Sequence, residues 1–151
     1  NVQPIAIMTI VFALALYFSD RNREESKKII NCSYSLMFFI GLMQALAIMP
    51  GVSRAGVVIT AALLVGFTRK DSIKISFLLS IPAIFMASTY QTVQLLSENE
   101  VIIFKDYILG FSLSFLLSYL TIRLFISTIN KVTFSPYIIY RIILGTILLT
   151  I

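Results

Sequence analysis

Apolar stretches fill this chain almost from end to end. They cover residues 5–18, 34–49, 56–67, 75–96, 107–129 and 135–151, with only short polar segments between them. Several reach or approach the roughly 20 residues that cross a bilayer as a helix. The apolar runs continue to the last residue, so a cleaved signal peptide does not account for them. Composition agrees: 58% of residues are hydrophobic and 13% charged, roughly half the charged share of a soluble domain. The expected fold is an all-α integral membrane protein, a polytopic helix bundle forming a single membrane domain over residues 1–151.

The net charge of +5 does not point to nucleic acid. The basic residues sit in short loops between apolar segments, where they set membrane orientation. Cys32 is the only cysteine, which excludes an internal disulfide and a cysteine metal cluster. There is no histidine, so the commonest general base and metal ligand is missing. The chain starts at Asn1, close to an apolar run, and ends inside another. It is therefore expected to be a portion of a longer protein.

The loops predict a topology. Arg21, Arg23, Lys27 and Lys28 precede the apolar stretch at 34–49, and Arg69, Lys70 and Lys74 follow the one at 56–67. The charge bias places both loops on the cytoplasmic side. One helix over 34–67 would be about 50 Å long, far more than a bilayer needs. Two half-helices meeting at 50–56 each reach roughly the bilayer midplane. The charge and the length together predict a re-entrant helix–loop–helix hairpin at about 34–67. Segment 97–106, with Glu98, Glu100 and Asp106 against Lys105, then faces outward, and Lys131 faces inward. Pro82 is a candidate kink in the span at 75–96. Tyr34, Tyr90, Tyr107 and Tyr137 fall near span ends and read as an interfacial belt.

The hairpin's tip reads "AIMPGVSRAGVV". Non-helical backbone at membrane depth is tolerated where it is buried in protein or lines a wet cavity. An arginine there marks a functional site by default. Gly51 and Gly56 permit a tight turn and close approach of a ligand. A new half-helix starts near Arg54, and its free amides and positive dipole end attract an anion. Arg54 adds a planar fork suited to phosphate, and Ser53 adds a hydroxyl. The alternative is an Arg54 that snorkels or pairs with a carboxylate for structure. The apolar segments of this chain offer no such carboxylate.

"PGVSRAG" after "GLMQALAIM", followed by "GFTRKDSIKISFLLSIP", resembles the second signature region of the bacterial undecaprenyl-diphosphate phosphatases. The resemblance extends over most of the chain. The family pattern is P-G-x-S-R-S-x-x-T. Pro50, Gly51, Ser53 and Arg54 match it, whereas Ala55 replaces its serine and Val58 its threonine, with Thr60 two residues further on. The resemblance implies a membrane enzyme that hydrolyses undecaprenyl diphosphate to the monophosphate. That reaction recycles the lipid carrier for cell-wall synthesis in the bacterial plasma (inner) membrane, and overproduction is associated with bacitracin resistance.

It also implies half of an inverted-repeat architecture. The other, N-terminal half carries an E-x-x-x-E signature, a serine and a histidine, none of which this sequence contains in that arrangement. Gln44 occupies the repeat position of a signature glutamate, able to hydrogen-bond but not to act as a base. The implied labour is divided. The other half supplies a nucleophile and carboxylates for a divalent cation (Mg or Ca), with no metal ligand in this chain. Arg54 and Ser53 serve the transferred phosphoryl group, with Gly51, Gly56, Gln44 and Thr60 as substrate contacts. Ser53 as the nucleophile remains the alternative.

Cys32 reads as an incidental loop cysteine, and Glu24 with Glu25 as a solvated charge cluster. Arg141 is open between a diphosphate contact and an internal partner. Two competing functions are a transporter or lipid-flipping protein, since broken helices at the midplane are transporter architecture, and a non-catalytic half that assembles with another chain.

Overall fold

The computed structural model describes residues 2–21, 27–97, 104–128 and 133–150. Six α-helices occur among them: α1 (Gln3–Arg21), α2 (Tyr34–Gln44), α3 (Arg54–Leu64), α4 (Arg69–Ser97), α5 (Phe104–Thr128) and α6 (Ser135–Thr150). A 3-10 turn at Ala45–Ile48 extends α2, and another at Ile29–Asn31 precedes it. Among the described residues, three helices are long and apolar enough to cross a membrane: Gln3–Arg21, Arg69–Leu95 and Tyr107–Thr128. The expected all-α membrane architecture is what the structure shows. Helix α4 continues through Pro82. Glu24, Glu25, Glu98, Glu100 and Lys131 lie outside the described residues.

Local chemistry sets the ends of the two half-helices. Ser33 caps α2 by accepting from the Leu36 amide at 3.3 Å, and Ser53 caps α3 by accepting from the Gly56 amide at 3.2 Å. Helix α3 ends in paired bonds around Gly66, whose φ is +93°. The Gly66 amide reaches the Leu63 carbonyl at 3.0 Å, and the Phe67 amide reaches Ala62 at 3.0 Å. This double closure uses carbonyls that a helix end otherwise orphans. Phe67 then folds fully buried under the helix it terminates.

The segment between the two basic loops doubles back on itself. The Lys27 amide donates to the Gly66 carbonyl at 3.0 Å, and the Thr68 amide donates to the Lys27 carbonyl at 3.3 Å. Arg69 grips Asp20 with two hydrogen bonds of 2.7 Å, and the Ile29 amide donates to Asp71 Oδ2 at 3.2 Å. The segment entering the hairpin and the turn leaving it are thus stitched together. An impermeant maleimide test follows. In a Cys32→Ser background, cysteines at Lys28 and Lys70 are expected to label from one side of sealed vesicles, and a cysteine at Ser97 from the other. Labelling of positions 28 and 70 from opposite sides would require a different topology.

The hairpin's second arm is the centre of the fold. Residues 56–63 of α3 are buried all round, as expected of a helix enclosed by protein. Ile40 of α2, Val52, Val57, Val58, Ala61 and Ile75 of α4 form one apolar cluster with it. On its other side Ile59 and Leu63 pack with Ala13 and Leu16 of α1 and Ile138 of α6. Helices α1 and α6 approach closely because small residues face each other. A Cβ on Gly145 would stand 3.2 Å from the Ala6 carbonyl oxygen, which is how small residues let membrane helices meet. Helix α5 stands apart. No residue of its apolar window is buried, and it meets α4 through the edge-on rings of Phe77 and Phe125, 6.4 Å apart.

Candidate anion site at the hairpin tip

The backbone leaves helical geometry at Met49 and re-enters it at Arg54. Gly51 makes the turn with φ +90°, a conformation that costs a residue with a Cβ about 1–2 kcal/mol. It also presses on α1: a Cβ there would collide with the Ile5 carbonyl. The Gly51 carbonyl accepts from Arg141 Nη2 at 2.8 Å, while Thr9 Oγ1, which donates to the Ile5 carbonyl at 2.7 Å, lies 3.3 Å from it. Arg141 is only 4% exposed, and its Nη1 has no partner among the described residues. That Nη1 would lie 3.0 Å from a Cβ on Gly56. The internal partner is therefore real, and it leaves one donor of Arg141 unspent beside the first turn of α3.

Arg54 opens α3. It is exposed and forms no ion pair or hydrogen bond among the described residues. A cation at the positive end of a helix dipole is unfavourable, so both features call for an anion. Arg54 lines a cavity of about 670 Å³ between the hairpin and α4, with Gly41, Gln44, Ile48, Ala83 and Met86 on its walls. This volume lies within the usual range for small-molecule sites. Gln44 reaches the same cavity, and its Oε1 is buried without a partner among the described residues. Arg54 and Gln44, read from the sequence as site residues, are thus brought together.

Ser53 does not line that cavity. It faces α6, where Tyr137 donates to its Oγ at 3.0 Å. Gly51 and Gly56 lie at the turn and first helical residues. Thr60, expected as a substrate contact, lies inside α3. It is buried, 4% exposed, and its hydroxyl donates to the Gly56 carbonyl at 2.8 Å. Threonine in a helix commonly bonds back one turn, and here that bond ties Thr60 to the first turn of α3. Two residues outside the motif also meet this turn: Tyr137, which the sequence places in an interfacial belt, and Arg141, which the sequence leaves open between a diphosphate contact and an internal partner. The signal was there, since an arginine inside an apolar span needs a partner.

The match to known proteins is consistent with this geometry. The family model described as bacitracin resistance protein BacA matches residues 1–147. The chain belongs to the BacA family. It is 43% identical over 145 residues to the undecaprenyl-diphosphatase of Saccharophagus degradans, covering 96% of this chain and 54% of that protein. The Campylobacter concisus undecaprenyl-diphosphatase is 41% identical over 146 residues, 96% of this chain and 54% of that one. The Pelagibacter ubique undecaprenyl-diphosphatase is 42% identical over 151 residues, 100% of this chain and 59% of that one. The chain thus spans about half the length of the curated relatives it matches. Its helices and its BacA membership make it a multi-pass membrane protein.

The donor set suits an anion rather than a cation. Among the described residues no group of three His, Cys, Asp or Glu side chains could hold a metal ion. The cavity instead carries the Arg54 guanidinium. Among the described residues, the cavity lining offers no carboxylate for a divalent cation.

Proposed function

We propose that this chain is the phosphate-holding part of an enzyme that hydrolyses undecaprenyl diphosphate to undecaprenyl phosphate and inorganic phosphate. The observation that carries the reading is Arg54, a guanidinium without a partner among the described residues, at the positive end of α3 and on the wall of an otherwise largely apolar cavity. The relatives' name supports hydrolysis over a transporter or flipping protein. The lipid's polyprenyl tail would lie along the apolar wall that Ala83, Met86 and Ala87 contribute, with the diphosphate at the hairpin tip. The site would sit in the bacterial inner membrane and serve recycling of the cell-wall lipid carrier, a role that supports bacitracin resistance.

In the reaction, an oxygen nucleophile attacks the terminal phosphorus and the bridging P–O bond breaks toward the lipid phosphate. Phosphoryl transfer depends chiefly on positioning and on neutralising the oxygens of the transferred group. Arg54 would clamp those oxygens with two parallel hydrogen bonds, and the α3 dipole would add to it. Donors aimed at developing charge in a water-poor site supply much of the rate enhancement of such enzymes. The divalent cation expected from the resemblance would need carboxylates from outside this chain, and no step here is routed through it.

The test is a chimera in which this chain replaces the matching portion of the Saccharophagus degradans relative. The chimera is expected to release phosphate from undecaprenyl diphosphate in nanodiscs, whereas the 151-residue chain alone is expected to release none. Hydrolysis by the isolated chain, abolished by Arg54→Ala, would show that the whole apparatus lies within it. An inactive but well-folded chimera would count against the proposed function.

A further inference from the structure

Ser53 is held by two donors at once. Its Oγ accepts from the Gly56 amide at 3.2 Å and from the Tyr137 hydroxyl at 3.0 Å. A serine hydroxyl has two acceptor sites and one proton to give. Within the hydroxyl pair the phenol is the stronger acid, and its oxygen shares a lone pair with the ring, so Tyr137 donates and Ser53 accepts. With both acceptor sites of Ser53 filled, only its O–H remains uncommitted. We propose that Tyr137 is a positioning residue that fixes the polarity of Ser53, making its hydroxyl an obligate donor to a phosphoryl oxygen of a diphosphate that spans the first turn of α3, from the Arg54 cavity to the α6 side that Ser53 faces.

The ring is well placed to do this. Tyr137 lies in the first turn of α6, and the Arg141 guanidinium sits 5.8 Å from its centroid. Arg141 is in turn tied to the Gly51 carbonyl at 2.8 Å. The phenol is therefore referenced to the same turn whose hydroxyl it orients. The unpartnered Arg141 Nη1, buried beside Gly56, points independently to a ligand that brings acceptors to this turn. The arrangement also bears on Ser53 as a nucleophile. An attacking serine must pass its proton to a base, and both neighbours of Ser53 Oγ give protons rather than take them. Ser53 thus acts as a contact, with Tyr137 behind it.

The proposal rests on the phosphate-holding reading of the hairpin tip, and the test separates the two. The chain is placed in nanodiscs and titrated calorimetrically with inorganic pyrophosphate. Tyr137→Phe keeps the ring and removes only the hydroxyl, so helical circular dichroism should be unchanged. Its affinity is expected to fall about three- to tenfold, the usual worth of one neutral hydrogen bond. Ser53→Ala should fall at least as far. The double variant Ser53→Ala/Tyr137→Phe should match Ser53→Ala within about twofold, because Tyr137 acts through the serine. Ser53→Thr restores a hydroxyl and should restore the cost of Tyr137→Phe, a dependence that a purely structural tyrosine would not show. Losses that add in the double variant, or an unchanged Tyr137→Phe, overturn the proposal alone, provided Arg54→Ala abolishes binding. Absence of binding by the parent chain overturns the phosphate-holding reading and the proposal with it.

Discussion

Arg54→Lys and Arg54→Ala, made in the chimera, are expected to insert and fold normally yet lose at least about a hundredfold in turnover. Folding should survive because Arg54 is exposed and bonds to nothing in the described structure. The two variants separate charge from geometry. Lysine keeps the positive charge and most of the reach but loses the planar fork and its second hydrogen bond. Removing one donor aimed at transition-state charge costs roughly 2.7–4 kcal/mol, or about 10²–10³ in rate. Ser53→Ala should lose less, since it gives up a single neutral contact and a helix cap. The measurement is phosphate release from undecaprenyl diphosphate at matched membrane expression. Near-normal turnover in a well-expressed Arg54→Lys would remove the clamp. Complete loss in Ser53→Ala with Arg54→Lys only partly impaired would exchange the two roles.

The hairpin tip was legible because its signals are local. Proline and glycine stop one helix, serine caps the next, and the structure begins α3 at Arg54 with Ser53 as its cap. Folding back of the segment was also legible, from the placement of basic loops, and the Lys27–Phe67 bridge gives it a backbone form. Thr60, two residues beyond the motif's threonine position, sits at i+4 from Gly56, and helix geometry turns its hydroxyl to that carbonyl. On the other side of the turn the sequence shows only that Arg141, an arginine in an apolar span, needs a partner, and not which turn it and Tyr137 meet. Tyr137 and Arg141 meet Ser53 and Gly51 across 84 and 90 residues of sequence, and nothing in an apolar helix announces which distant turn it will cover. The cavity is similarly non-local. Ala83, Met86 and Ala87 read as ordinary span residues, and only the fold of α4 against the hairpin makes them a wall beside Arg54.

Gly51→Ala is expected to be the most damaging single methyl that can be added to this chain. Three independent demands meet at Gly51. Its φ of +90° costs an alanine about 1–2 kcal/mol. The new Cβ would enter the Ile5 carbonyl of α1, and backbone, unlike a side-chain tip, cannot rotate away. Relieving such an overlap in a packed region costs about 1–3 kcal/mol more. Moving the turn outward instead would pull its carbonyl from Arg141 Nη2, leaving a buried guanidinium with neither terminal nitrogen bonded among the described residues. The sum, about 2–5 kcal/mol, is a large fraction of a domain's stability. Gly41→Ala makes the control, because a Cβ there meets nothing within 4 Å. Thermal unfolding of the purified chain in detergent, followed by circular dichroism, should show a clear fall in midpoint or loss of folded yield for Gly51→Ala, and little change for Gly41→Ala. Equal stability of the two variants would mean that the turn is not seated against α1, and the site built on that seat would have to be redrawn.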